Sequence, residues 1–111
     1  MDERARRVGR NEAVFREVNE QIESLNRGLA ALSDNTMHIV CECGDLICAT
    51  QLVVPIEDYE RIRSDSTLFF VLPGHERPDV ESVVEESSAY NVVRKHEGDA
   101  ADLARELDPR R

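Results

Sequence analysis

Three cysteines stand within one short segment, Cys41-Glu42-Cys43-Gly44-Asp45-Leu46-Ile47-Cys48, and the chain contains no others. A disulfide framework is poorly served by this arrangement, because a bridge across one intervening residue is strained and any pairing leaves one thiol over. Metal ligation accounts for the cluster better. Zinc holds thiolate sulfurs at about 2.3 Å, whereas alternate residues of one strand start about 6.6 Å apart at the Cα level. The backbone must therefore turn between Cys43 and Cys48, and Gly44 stands where a positive φ would be needed.

Three thiolates leave a tetrahedral site one donor short. Sequence proximity favours His38, but His38 is an odd number of residues from Cys41 and points to the opposite face of a strand unless a bulge intervenes. His75 has the better argument, since Pro73-Gly74 forms a tight turn at the end of the apolar run Leu68 to Leu72 and can aim the imidazole at the knuckle. Asp45, or no fourth protein donor, remains an alternative, and His96 carries no comparable signal. The expected metal set is thus Cys41, Cys43, Cys48 and His75, holding Zn²⁺.

Catalytic patterns are missing around this cluster. The glycines at 9, 28, 44, 74 and 98 are never closer than 16 residues, which excludes a glycine-rich phosphate loop and a Rossmann fingerprint. No serine stands in a nucleophile elbow and no two histidines are spaced i, i+4. His75-Glu76 and the C-x-C spacing do not match the H-x-E and C-x2-C of a zinc deaminase. A site filled by three Cys and one His leaves no position for an activated water. Glu85-Glu86 read as solvated charges at a strand end. No enzyme activity is expected.

The elements that must position these residues follow from periodicity. Val14, Val18, Ile22, Leu25, Leu29 and Leu32 fall at spacings of four and three, which lays an apolar stripe along a helix over 11–32, capped by Asn11 and stopped by Ser33-Asp34-Asn35. That stripe suits docking on a sheet or, as a short coiled-coil seam, pairing with a second copy. From Thr36 the period becomes two, a strand entering the knuckle. Thr50 to Val54 reads as a second strand ended by Pro55, followed by a helix over 56–63 with acids first and arginines last. Leu68 to Leu72 reads as a buried strand, 80–86 and 89–96 as a hairpin, and 99–107 as a terminal helix. The class is α+β: a small, mostly antiparallel sheet with a long N-terminal amphipathic helix, short helices and a zinc knuckle. One domain over 1–111 is expected, with 1–10 a flexible arm, 11–32 the helix and 36–107 the zinc-stapled sheet and helices.

At 111 residues and 12.6 kDa the chain is one small domain. Aromatic residues are 5% and Trp is absent, so the core must be largely aliphatic and a metal staple would help it. Net charge is −9, of which residues 36–111 carry −8. Such a body repels phosphates, so nucleic acid is not an expected partner, despite the cluster Arg4, Arg6, Arg7 and Arg10. No apolar run approaches the about 18 residues of a membrane span, and the arginine-rich start has no signal-peptide core behind it. A cytoplasmic protein without membrane contact is expected.

Arg10-Asn11-Glu12-Ala13-Val14-Phe15-Arg16-Glu17-Val18-Asn19-Glu20, Cys41-Glu42-Cys43-Gly44-Asp45 with Cys48, Pro55, Tyr59, Arg63, Leu72-Pro73-Gly74-His75, Val92-Val93 and Asp108-Pro109-Arg110 together carry a resemblance. Nearly the whole chain resembles an uncharacterised family of small, high-GC actinobacterial proteins. The resemblance implies a Cys3His zinc site at Cys41, Cys43, Cys48 and His75, and it brings no activity. The expected function is a small non-enzymatic zinc-binding protein, an interaction or regulatory module that meets a protein partner or a second copy through the N-terminal helix. A zinc-thiolate redox or metal sensor is the alternative, and an enzyme of unknown chemistry a further one.

Overall fold

The computed structural model describes residues 3–27, 35–48 and 50–110. Eight elements follow in order: α1 (Glu3–Arg27), β1 (Thr36–Val40), β2 (Gln51–Pro55), α2 (Ile56–Arg63), β3 (Leu68–Val71), β4 (Glu81–Glu86), β5 (Asn91–Lys95) and α3 (Asp99–Glu106). The α+β class holds, with the strands in two small antiparallel sheets, β1-β2 and β3-β5-β4. In the first sheet Thr36 lies opposite Pro55 and Val40 opposite Gln51. Alternation then sends Met37, Ile39, Leu52 and Val54 inward, while His38 and Val53 face out opposite each other. In the second sheet β5 is central, and a bulge between Val83 and Glu85 breaks the β4 register at the edge.

The sheets meet through the chain just beyond β1, where the Glu42 N–H donates to the Phe70 carbonyl at 2.8 Å. The core they enclose contains Met37, Ile39, Leu52, Val54, Tyr59, Ile62, Phe69, Phe70, Val92 and Val93. Few aromatics suffice because they are placed together. Tyr59 stacks on Phe70 at 5.6 Å between ring centroids, and Tyr90 meets Phe70 edge-on at 5.4 Å.

The long helix departs from the sequence expectation in two ways. It begins by Glu3, so residues 3–10 form helix where a flexible arm was expected. Gly9 shows why this turn is held: a Cβ there would come within 2.7 Å of the Leu103 side chain, so α1 and α3 cross in close contact. Secondly, the apolar stripe does not face the core. Val14 is 57% exposed, Val18 39% and Leu25 74%. Ile22 is half-buried, and Gly28, Leu29, Leu32, Ser33 and Asp34 lie outside the described residues.

The buried face of α1 is instead Glu12, Ala13, Arg16, Asn19 and Glu23. These positions repeat at the same three-and-four spacing as the valines and leucine, on the other side of the helix. What they meet explains the choice. Asn19 donates to the Val40 carbonyl and accepts from the Val40 N–H, both at 2.8 Å, so a side-chain amide completes the edge of β1. Arg16 donates to the carbonyls of Ser66 at 2.7 Å and Ala104 at 2.8 Å and lies over the Phe69 ring. Each buried backbone group on that surface gains a partner that an aliphatic side chain could not supply.

Glu12 completes this face with an ionic triad. Its two carboxylate oxygens accept from Lys95 Nζ at 2.7 and 2.6 Å, and Lys95 donates again to Glu81 at 2.6 Å. Burial pushes the Glu12 pKa up from 4.5 to about 7, against the pull of Lys95. The native state therefore holds this proton more tightly than the unfolded chain. That contribution to stability is full below about pH 4.5 and is lost as pH rises to about 7, a change of up to about 3 kcal/mol. Glu12→Gln should remove this slope. Denaturant unfolding of both proteins near pH 5 and pH 8, taken as a difference so that any slope from metal binding cancels, checks it; a difference that does not change with pH counts against the assignment.

Candidate metal centre

The knuckle is built by the end of β1, the return into β2 and the turn after β3. Cys41 continues the β1-β2 ladder, its N–H donating to the Thr50 carbonyl at 2.9 Å. Gly44 then takes φ 80°, and a Cβ there would lie 2.8 Å from Glu12 Cγ and 2.9 Å from the Val8 carbonyl, so the loop rests against α1 where only glycine fits. Asn11 Nδ2 donates to the Gly44 carbonyl at 3.2 Å and Arg77 Nε to the Cys43 carbonyl at 3.0 Å. An Asx turn closes the tip, with Asp45 Oδ1 accepting from the Ile47 N–H at 3.1 Å and the Asp45 carbonyl from the Cys48 N–H at 3.0 Å.

His75 arrives from the other sheet. The His75 N–H donates to the Leu72 carbonyl at 2.9 Å, and Gly74 has φ 96°, which makes Leu72-Pro73-Gly74-His75 a type II turn. The turn carries the imidazole to the thiols. His75 Nδ1 lies 3.6 Å from Cys48 Sγ and 3.7 Å from Cys41 Sγ, and the donor atoms of Cys41, Cys43, Cys48 and His75 all lie within 4.8 Å of one another. A tetrahedron with metal–sulfur bonds near 2.3 Å and a metal–nitrogen bond near 2.1 Å has sulfur–nitrogen edges of about 3.6 Å. The four side chains could therefore hold one metal ion, and no disulfide links the cysteines.

The surroundings favour thiolates only when a cation is present. Burial pushes the thiols of Cys41 and Cys43 up. Cys48 is the exception: against burial, the backbone N–H and the side chain of Thr50 hold it below the ordinary range. Backbone donors also reach the other sulfurs, with Leu72 N–H donating to Cys41 Sγ at 3.2 Å and Asp45 to Cys43. Such donors orient metal-bound thiolates and spread their charge.

The other sequence candidates lie elsewhere. His38 is exposed on the outer face of β1, as strand parity requires, and Asp45 spends its carboxylate on the Asx turn. His96 faces Ser82, Nε2 to Oγ 2.9 Å. Glu85 of the acidic pair is held by Arg61 at 2.7 Å.

Sequence reasoning missed Glu42. Between two metal-set cysteines, its carboxylate is fully buried and accepts from the Phe70 N–H at 3.0 Å, Asn19 Nδ2 at 2.6 Å and Arg63 Nη2 at 2.6 Å. One side chain thus ties the knuckle to α1, α2 and β3. The alternation that puts Ile39, Cys41 and Cys43 on the core side puts Glu42 on the side of His38 and Val40, so neither its burial nor its partners, 21 to 28 residues away, could be read from strand parity.

No helix among the described residues is long and apolar enough to cross a membrane. No family model, curated protein or solved structure matches the chain.

Proposed function

We propose that this chain is a zinc-binding, non-enzymatic protein-interaction module, of the small actinobacterial family that its Cys-x-Cys and Pro-Gly-His motifs resemble. The observation that carries the reading is the convergence of three thiols and one imidazole within 4.8 Å of one another, with the imidazole nitrogen at a tetrahedral edge length from two of the sulfurs. Three soft sulfurs and a borderline nitrogen suit Zn²⁺ over hard oxygen-seeking cations. Four protein donors fill a tetrahedron, which favours a structural role over water activation.

The interaction surface in this reading is the outer face of α1. Val14, Val18 and Leu25 stand in solvent while the polar side of the same helix is buried, which leaves an apolar stripe on the outer surface. Its occupant is a protein partner or a second copy, and the charge of −8 on residues 36–111 argues against nucleic acid. A second reading, a redox sensor, is favoured by Cys48, which is only half-buried and the least basic of the three thiols.

Metal analysis of protein purified without a tag should give close to one zinc per chain. Leu25→Asp should leave metal content and melting temperature unchanged while abolishing capture of the partner or self-association by sedimentation. Less than about half an equivalent of zinc would remove the reading. Unfolding of Leu25→Asp would show that the stripe is covered within the chain. Release of zinc by micromolar peroxide, together with a change in association, would favour the sensor.

A further inference from the structure

A cavity of about 350 Å³ lies between the first half of α1, α3 and the floor of the second sheet, away from the four donors of the metal centre. This volume is at the lower end of the range for small-molecule sites. Its wall is apolar on the helical sides, with Val8, Leu103 and Ala100, and ionic at the floor, where Lys95 lies between Glu12 and Glu81. Arg4, Arg77 and Asp79 complete the charged lining.

The hydrogen-bond inventory of this lining is one-sided. Both oxygens of Glu12 accept from Lys95 Nζ. Glu81 Oε1 accepts from Lys95 and Oε2 from the Arg77 N–H at 2.9 Å. The floor carboxylates are therefore already engaged, and Lys95 spends its charge on them. Donors remain in excess: Arg77 uses only Nε, on the Cys43 carbonyl, and among the described residues neither its two terminal nitrogens nor the Arg4 guanidinium meets a protein acceptor. Asp79, exposed at the rim, is the one carboxylate not so engaged. A ligand entering here meets the Arg4 guanidinium, the two terminal nitrogens of Arg77 and an apolar wall.

We propose that this cavity binds a small organic anion, a carboxylate or phosphate on a short apolar body, with Arg4 and Arg77 holding the anionic group and Val8, Leu103 and Ala100 the body. Guanidinium groups suit such oxyanions because their planar donors match the acceptor geometry. Arg77 is already positioned for this by the Cys43 carbonyl, whereas Arg4, exposed in the first turn of α1, closes over the ligand.

Hexanoate and phenyl phosphate are suitable probes, with hexylamine as the cationic counterpart, titrated into the metal-loaded full chain and followed by amide chemical shifts. We expect saturable shifts at Val8, Leu103 and Lys95 with a Kd of about 1 mM or tighter for one or both anions, and none for hexylamine. Arg4→Gln should weaken binding about tenfold with metal content and melting temperature unchanged, and Arg94→Gln, an exposed arginine elsewhere on the second sheet, should not weaken it. Arg77→Met gives a second reading of the same contact. No saturable shift for either anion, equal binding of hexylamine, or full affinity in Arg4→Gln and Arg77→Met together would overturn the proposal.

Discussion

Cys41→Ser should abolish stoichiometric metal binding and take most of the fold with it. The thiol belongs to the hydrophobic core and is fully buried, with its sulfur within 3.7 Å of His75 Nδ1 and accepting from the Leu72 N–H at 3.2 Å. A structural zinc contributes on the order of 10 kcal/mol of apparent binding free energy, comparable to the about 5–15 kcal/mol of a whole domain. The centre also joins the two sheets, since Cys41, Cys43 and Cys48 come from the β1-β2 side and His75 from the turn after β3. Chelation of the native protein should accordingly produce loss of near-native spectra and early denaturant unfolding, reversed by added Zn²⁺.

The histidines separate the geometric assignment from a general effect of substitution. His75→Ala should weaken the metal and admit a water or buffer ligand to the fourth position, whereas His38→Ala should change neither metal content nor stability, because that side chain is exposed on the outer face of β1. Metal titration with a competing chelator and thermal melting measure both. Full affinity in His75→Ala with loss in His38→Ala would mean that another arrangement of the knuckle holds the ion.

Much of this site was legible in the residues themselves. Strand parity separated His38 from Cys41, and Leu72-Pro73-Gly74-His75 has the residues a type II turn requires, so local rules sufficed for both. The strands and short helices followed for the same reason, as alternation, Pro55 and the charges at the ends of α2 act within a few residues. The face of α1 did not follow. Its sequence carries two superposed helical stripes, Val14-Val18-Ile22-Leu25 and Glu12-Arg16-Asn19-Glu23, and periodicity assigns a helix without saying which stripe is buried. The outcome depends on what the sheets offer: an unpaired Val40 peptide group, the carbonyls of Ser66 and Ala104, and Lys95, all distant in sequence. The start of the helix was missed similarly, because residues 3–10 are held by α3 at the far end of the chain.

Glu42→Gln should destabilise the domain by about 3–5 kcal/mol, a large fraction of its stability. The buried carboxylate is the counterion of Arg63, itself 1% exposed, and against the pull of burial Glu42 and Tyr59 together hold the guanidinium pKa above its ordinary value. Arg63 has little else to turn to. Its Nε and Nη1 find no hydrogen-bond acceptor, and the group lies over the Tyr59 and Phe70 rings at 4.8 and 5.4 Å. An amide at position 42 keeps the shape but leaves that cation buried without a counterion and places a donor toward either Arg63 or the Phe70 N–H. Arg63→Met should cost less, since Glu42 would retain the donors of Asn19 and Phe70 and the thioether can pack beneath the rings. The pair must then couple: the double variant should be less destabilised than the two single effects combined by at least about 1 kcal/mol, because removing both charges leaves neither unpaired. Metal affinity gives a second readout, as Glu42 fixes the peptide between Cys41 and Cys43 from the opposite side. Loss of that support should weaken zinc binding by about 10–100-fold in Glu42→Gln, the range seen when outer supports of metal ligands are removed. Denaturant unfolding across the four proteins, with zinc competition on each, tests both; additivity within about 0.5 kcal/mol would show that the ion pair does not hold the knuckle to the core.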